Sequence, residues 1–372
     1  MHAAGDVARP ARDDGDALME PYIRPVVIGA MIFIVFNALI IASAILVYAE
    51  RKIMGFMQQR YGPYLVGPYG MMQPFADILK LLFKEELRPK GADKLLFTLA
   101  PVLAVVTAFA AFSTVPFGGE TTLFGLLQQP MKLGVADVNV GVLVIFAVTS
   151  MGVYGIVLAG WSSNSKYALF GGLRASAQMI SYELSYATAL AAIIMLAGSM
   201  SVREMVDAQT GYWLGGWIPK WYLFIQPVGF IIYFIAGVAE TNRAPFDFPE
   251  AEQELVAGFN TEYSSVRFAL FPQAEYINMV TVAAVATNLF LGGWHGLFPF
   301  WTPVDYYIEA WNIGWLVFLA KIGGILFFYI WMRWTVPRYR YDQLMKFGWK
   351  YLLPASVINL LVTAAAVLYF NA

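Results

Sequence analysis

Apolar residues in this 372-residue chain gather in long runs rather than in short periodic patches. Five runs carry no charged residue over about the length a membrane-crossing helix needs: 25–49, 95–119, 138–165, 221–239 and 351–372. Three more each hold one charge: 175–202 with Glu183, 268–304 with Glu275, and 310–332 with Lys321. The pattern predicts an all-α polytopic membrane protein of about eight transmembrane helices, with both termini on the same side. Composition agrees. At 59% hydrophobic, 13% charged and mean hydropathy +0.60, the chain is too apolar for a soluble domain. Residues 1–21 form a polar tail expected to be disordered, and 22–372 a single membrane domain.

The polar connections read as structured. Gly-Pro pairs at 62–63 and 67–68 enforce turns in the first long loop. From Pro74 a helix is expected, with Phe75, Ile78, Leu79 and Leu82 on one face and Asp77, Lys80, Lys84 and Arg88 on another. Ending at Arg88–Pro89, it is too short to span and suits the interface plane. Asp77 and Lys80, three apart, can pair on it. A second short helix is expected after Asp247, which with Glu250 fits a capping box, with Pro249 in its first turn and Gly258 as its stop.

Basic residues set the orientation. Loops 50–97, 161–176, 241–267 and 333–350 hold seventeen of the Lys and Arg residues, against six in the tail and the alternate loops. By the positive-inside rule the first set faces the cytoplasm or matrix and both termini face outward. The tail and the lack of a transit peptide point to a bacterial plasma membrane, periplasmic at both termini, rather than to a mitochondrial inner membrane. Trp213, Trp217, Trp221, Trp294 and Trp301 gather at outer helix ends, as an interfacial belt would.

The densest chemistry lies at 239–263, where Glu240, Asp247, Glu250, Glu252, Glu254 and Glu262 accompany one base, Arg243. Carboxylates so crowded beside a low-dielectric medium favour protonated forms near neutral pH, as a proton-handling site requires. On the expected helix Glu250 and Glu254 share a face while Glu252 points away. Like charges at that spacing destabilise a helix by a few tenths of a kcal/mol. Glu183 and Glu275 each lie nine or ten residues from the inner end of the expected helices, roughly 14 Å deep at about 1.5 Å per residue. An ionised acid at that depth costs on the order of 3 kcal/mol and must be neutral, paired or hydrated. With Glu240 at the inner mouth, the three outline a path to the midplane. Lys321 is the base to suspect as their partner, or as an end of the path. Zero cysteines exclude cysteine-ligated clusters and thiol chemistry in the chain, and His2 and His295 lie outside the expected helices.

Four long motifs in order carry a resemblance over about residues 22–370: AERKIMGFMQQRYGPYLVGPYGMMQPFADILKLLFKE, RASAQMISYELSYA, AETNRAPFDFPEAEQELVAGFNTEYSSVRFALFPQAEY and VPRYRYDQLMKFGWKYLLP. The chain resembles the quinone-channel subunit of respiratory complex I, the NADH:quinone oxidoreductase. The resemblance implies a non-redox membrane subunit of a proton-translocating enzyme, with quinone as substrate and no cofactor bound by this chain. FMN and iron–sulfur clusters would sit in partner subunits, and the partners would be the peripheral quinone-site subunits and the small and antiporter-like membrane subunits. It assigns Glu50, Arg51, Arg60 and Asp77, with Arg338 and Arg340, to the quinone chamber. It assigns Glu183, Glu240, Asp247, Glu250, Glu252, Glu254, Glu262 and Glu275 to proton coupling. Two other readings stand beside it. One is the homologous subunit of a ferredoxin- or F420-dependent quinone reductase or a membrane-bound hydrogenase. The other is a free-standing proton or cation transporter, against which the absence of an internal repeat counts. The tail and the outer loop 201–220 lie outside the motifs and carry no assigned role.

Overall fold

The computed structural model describes residues 14–121, 130–213, 218–247, 256–296 and 313–371. Its helices, in chain order, are α1 (Asp14–Met57), α2 (Gln73–Phe83), α3 (Lys94–Ser113), α4 (Gly141–Ser162), α5 (Lys166–Ala197), α6 (Val202–Asp207), α7 (Tyr222–Ile225), α8 (Pro227–Glu240), α9 (Ser265–Phe290), α10 (Gly314–Thr335), α11 (Tyr341–Phe347) and α12 (Leu353–Asn371). Two antiparallel pairs, Glu120–Thr121 with Met131–Lys132 and Tyr212–Trp213 with Ile218–Pro219, sit in outer connections.

Six segments are long and apolar enough to cross a membrane: Arg24–Met57, Lys94–Ser113, Gly141–Ser162, Lys166–Ala197, Gly314–Thr335 and Tyr341–Phe370. The last runs through α11, a wide turn at Gly348–Leu352, and α12. The other two expected crossings depart for physical reasons. The 221–239 run is broken at Gln226 because Pro227 cannot continue the preceding helix, which leaves α8 only 14 residues long. Gln226 bridges the break by donating to Thr363 and accepting from Asn359 at 2.9 Å, both on α12. Helix α9 tolerates more polar residues because protein, not lipid, surrounds its outer half, where every residue from Met279 to Phe290 is buried.

Small residues set the closeness of the bundle. A Cβ on Gly160 of α4 would lie 2.6 Å from the carbonyl oxygen of Ala168 on α5, and one on Gly171 would lie 2.7 Å from backbone atoms of Gly258 and Phe259. That contact presses the segment after the acidic loop onto α5. Gly258 takes φ +56 and opens a short 3-10 turn, Gly258–Asn260; the helix expected to stop there lies outside the described residues. Phe97 of α3 stacks on Tyr263 with ring centres 4.1 Å apart, holding the other end of that segment.

Helix α2 differs from expectation at its end. It stops at Phe83, and Lys84 is extended, so Lys84 and Arg88 are not on its face. Tertiary bonds capture the chain there: Leu87 N–H donates to Ser264 Oγ at 2.8 Å, Ser265 Oγ to the Leu81 carbonyl at 2.9 Å, and Arg267 pairs with Glu86 at 2.7 Å. The apolar face survives, with Phe75, Ile78, Leu79 and Leu82 all exposed.

Candidate functional site

The inner ends of α1, α2, α9 and α10 and the turn after α8 enclose a cavity of about 410 Å³. Glu50, on the last inner turns of α1, is buried at 5% exposure and would be untenable there alone. Three donors satisfy it. Arg333 at the end of α10 pairs with Oε1, Tyr276 of α9 donates to Oε2 at 2.7 Å, and Arg243 approaches Oε2 at 3.4 Å. The Arg243 guanidinium lies 4.1 Å from the Tyr276 ring centre and turns its other nitrogen to Glu275, at 3.7 Å. A single buried base therefore touches Glu50 on one side and Glu275 on the other. Burial opposes its charge, but Tyr276, Glu50 and Glu275 outweigh that and hold it protonated.

Arg51 and Asp77 line the same cavity and pair at 2.5 Å, with Gln73 at 3.3 Å and Lys80 at 3.6 Å also on the Asp77 carboxylate. Burial pushes the Asp77 carboxyl up, yet the hydrogen bond and charge of Arg51 hold it below its ordinary value. Arg51 and Met54 also wall a neighbouring hollow of about 320 Å³ formed by Arg60, Gln73 and the turn from Tyr61 to Leu65. Arg60 donates to Gln58 at 2.8 Å. Of the two arginines of the last inner loop that the resemblance assigns to the chamber, Arg338 donates to the Asp247 backbone carbonyl, and Asp247 lines the main cavity. Arg340 points away, pairing with Asp342 at 3.3 Å at the start of α11.

A second, water-sized cavity of about 30 Å³ lies between Glu275 and Glu240, lined also by Thr241, Asn242 and Asn278. A site of this volume with several polar partners has room for one water. Glu240 is half-buried, faces Thr149, and has one buried oxygen without a hydrogen-bond partner. Glu183 receives a close hydrogen bond from Ser150 of α4. It lies seventeen residues into α5, not nine or ten, because the helix starts earlier, at Lys166; Glu275 is ten residues into α9, as expected. Gln178 of α5, fully buried, fixes the turn between these groups by donating to the carbonyls of Ala239 and Phe246 at 2.9 and 2.8 Å. Glu262 sits half-buried on a turn away from both cavities, and Glu250, Glu252 and Glu254 fall outside the described residues.

Among the described residues, Lys321 makes no contact with Glu183, Glu240 or Glu275. Its ammonium donates to the carbonyls of Leu291, Gly293 and His295 at 2.6, 3.0 and 2.5 Å and lies 4.8 Å from the Trp221 ring, at the outer end of the bundle. Trp221 and Trp294 are likewise no belt. Both are buried, against Lys321 and Arg203 respectively, while Trp213 is exposed and Trp217 and Trp301 fall outside the described residues. Sequence reasoning missed Arg333, Tyr276, Ser150 and Asn278 as site residues. No local signal could pair Arg333 with Glu50, 283 positions away.

With this geometry in hand, similarity to known proteins decides the family. A family model described as NADH dehydrogenase matches residues 29–364. The chain belongs to the NADH dehydrogenase family. Its relatives in that family include the first of the H-type NADH-quinone oxidoreductase subunits of Geobacter sulfurreducens, 49% identical over 356 residues, covering 93% of this chain and 97% of the relative. The second H-type subunit of the same enzyme in Koribacter versatilis is 51% identical over 344 residues, covering 90% and 94%. The H-type subunit of Streptomyces avermitilis is 49% identical over 318 residues, covering 85% and 67%. The buried Glu50–Arg243–Glu275 cluster is thus a feature of an NADH dehydrogenase family chain with a multi-pass membrane fold.

Proposed function

We infer that this chain is the membrane subunit of a proton-translocating NADH:quinone oxidoreductase, walling the quinone site and linking quinone reduction to proton movement. The relatives' names support the enzyme and favour NADH over ferredoxin or F420 as donor. The observation that carries the linkage is Arg243, shared by Glu50 of the expected chamber and Glu275 of the expected coupling path.

Quinone reduction takes up two electrons, delivered by redox groups of partner subunits, and two protons. This chain contributes the wall and the fixed charges. A quinone at the inner cavity meets the Arg51–Asp77 pair and the Glu50 cluster. Proton uptake by the reduced headgroup changes the charge Glu50 must balance. Arg243 then shifts its weight toward or away from Glu275, because one guanidinium cannot serve both acids equally. Glu275 exchanges a proton with Glu240 through the water-sized cavity, and Glu240 lies within electrostatic reach of Glu183. In this reading the basic loops face the cytoplasm of a bacterial plasma membrane and both termini face the periplasm.

The test is made on the assembly purified through a tag on this chain. NADH:quinone turnover blocked by a quinone-site inhibitor is expected. Glu275→Gln and Glu183→Gln, assembled normally, are expected to lose turnover or proton pumping by at least about tenfold, the scale of a proton-transfer step. Parental turnover and pumping in both variants would remove the linkage from the chain.

A further inference from the structure

Around Glu240 lies a group of side chains that the path above does not use. Tyr186 of α5 donates to Tyr233 of α8 at 2.8 Å, and Tyr233 donates to the Val282 carbonyl of α9 at 2.9 Å. Both hydroxyl protons are therefore spoken for. The third tyrosine, Tyr329 of α10, is 3% exposed and its hydroxyl has no hydrogen-bond partner. A buried, unpaired hydroxyl costs stability, and a phenylalanine would fill the same space without that cost.

The place where this hydroxyl ends gives it a purpose. A Cβ on Gly237 would lie 3.1 Å from the Tyr329 oxygen and 3.6 Å from the Tyr186 ring, so the hydroxyl rests over bare backbone of α8. Gly237 and Glu240, three residues apart, share one face of that helix. The free O–H thus sits one turn from a carboxylate that itself has an unpaired, buried oxygen, and the two are within electrostatic reach. We propose that Tyr329 is a positioning residue for Glu240, receiving its carboxylate directly or through one water when the side chain turns away from Thr149. Glu240 then has two berths: one toward Glu183 and Thr149, the other toward α10. The inference rests on Glu240 belonging to the proton path. Among the described residues, the other titratable or charged groups around it are Glu183 and Tyr186 of α5, Tyr233 of α8, Glu275 of α9 across the small cavity, and Arg243 of the turn.

The experiment is the pH profile of NADH:quinone turnover in the intact assembly. Tyr329→Phe removes one oxygen and keeps the ring against Phe234. Losing a donor to the carboxylate is expected to move the profile by about half a pH unit toward higher pH. A Cβ on Gly237 would also lie 2.7 Å from Val282 Cγ1, so Gly237→Ser is made together with Val282→Ala in the Tyr329→Phe background; it returns a hydroxyl near the same spot from the opposite helix and is expected to move the profile back. A Tyr329→Phe profile superimposable on the parent overturns the proposal. Should Tyr329→Phe assemble poorly, the variant that adds Gly237→Ser and Val282→Ala and regains assembly without regaining the parental profile overturns it too. Glu240→Gln separates the two levels. If it leaves turnover and profile at the parental values, the proton-path reading itself fails; if it lowers turnover while Tyr329→Phe changes nothing, only the present inference fails.

Discussion

Glu50 illustrates how a buried charge is made tolerable and useful at once. Its desolvation is offset only because two guanidiniums and a phenol converge on it, and removing one member leaves the others uncompensated. Glu50→Gln keeps the shape but strips Arg333 of its carboxylate partner and leaves Arg243 with Glu275 alone. Less assembled enzyme and at least about tenfold lower turnover are expected, read by native gel and quinone reduction, since breaking a buried pair costs about 3–5 kcal/mol. The Arg51–Asp77 pair behaves differently because it is partly exposed. With the Asp77 carboxyl held below its ordinary 3.8, the pair's stabilisation is fully present above that value and is lost only as pH falls through the lowered folded one. The apparent quinone KM should therefore show no step from this pair between about pH 5 and 8, while Asp77→Asn raises it few-fold. A parental KM in Asp77→Asn would detach the pair from quinone binding.

At the scale of elements, close packing is concentrated where small residues meet. Gly171→Ala drives a methyl into the backbone of Gly258 and Phe259, which cannot retreat as a flexible side chain could. A loss of about 1–3 kcal/mol is expected, seen as a lower unfolding temperature of the purified assembly. Unchanged thermal stability would mean the 256–263 segment is free to slide on α5. Elements were legible in the sequence wherever lipid is the solvent, because hydropathy then decides. The charge-free runs of α1, α3, α4 and α12 emerged directly. Helix α2 was legible at its start, where Pro74 and periodicity act locally, but not at its end, which Ser264, Ser265 and Arg267 determine from across the fold. The site divides in the same way. Glu50, Arg51, Asp77, Glu183, Glu240 and Glu275 stand out as single charges in apolar or motif-rich settings. Arg333, Tyr276 and Tyr329 do not, since a base or an aromatic at a helix end has many ordinary uses and only the three-dimensional pairing selects one.

At the scale of the whole molecule, the sequence places most Lys and Arg residues in one set of alternate loops, which predicts their side of the membrane. The chain has no cysteine, so single cysteines report sidedness without background. Tyr61→Cys is expected to react with an impermeant maleimide only from the cytoplasmic side, and Lys132→Cys only from the periplasmic side. The reverse pattern would invert the topology and with it the direction in which the acidic turn faces.

Lys321 bears on the order in which the chain is made. An isolated helix carrying a lysine in its body inserts at a penalty of about 2.5–3.5 kcal/mol. The carbonyls that relieve it belong to residues 291–295, which leave the ribosome before α10 does. Insertion is therefore expected to be ordered, with α9 and its outer turn seated at the translocon when α10 arrives and α10 entering as the second member of a pair rather than alone.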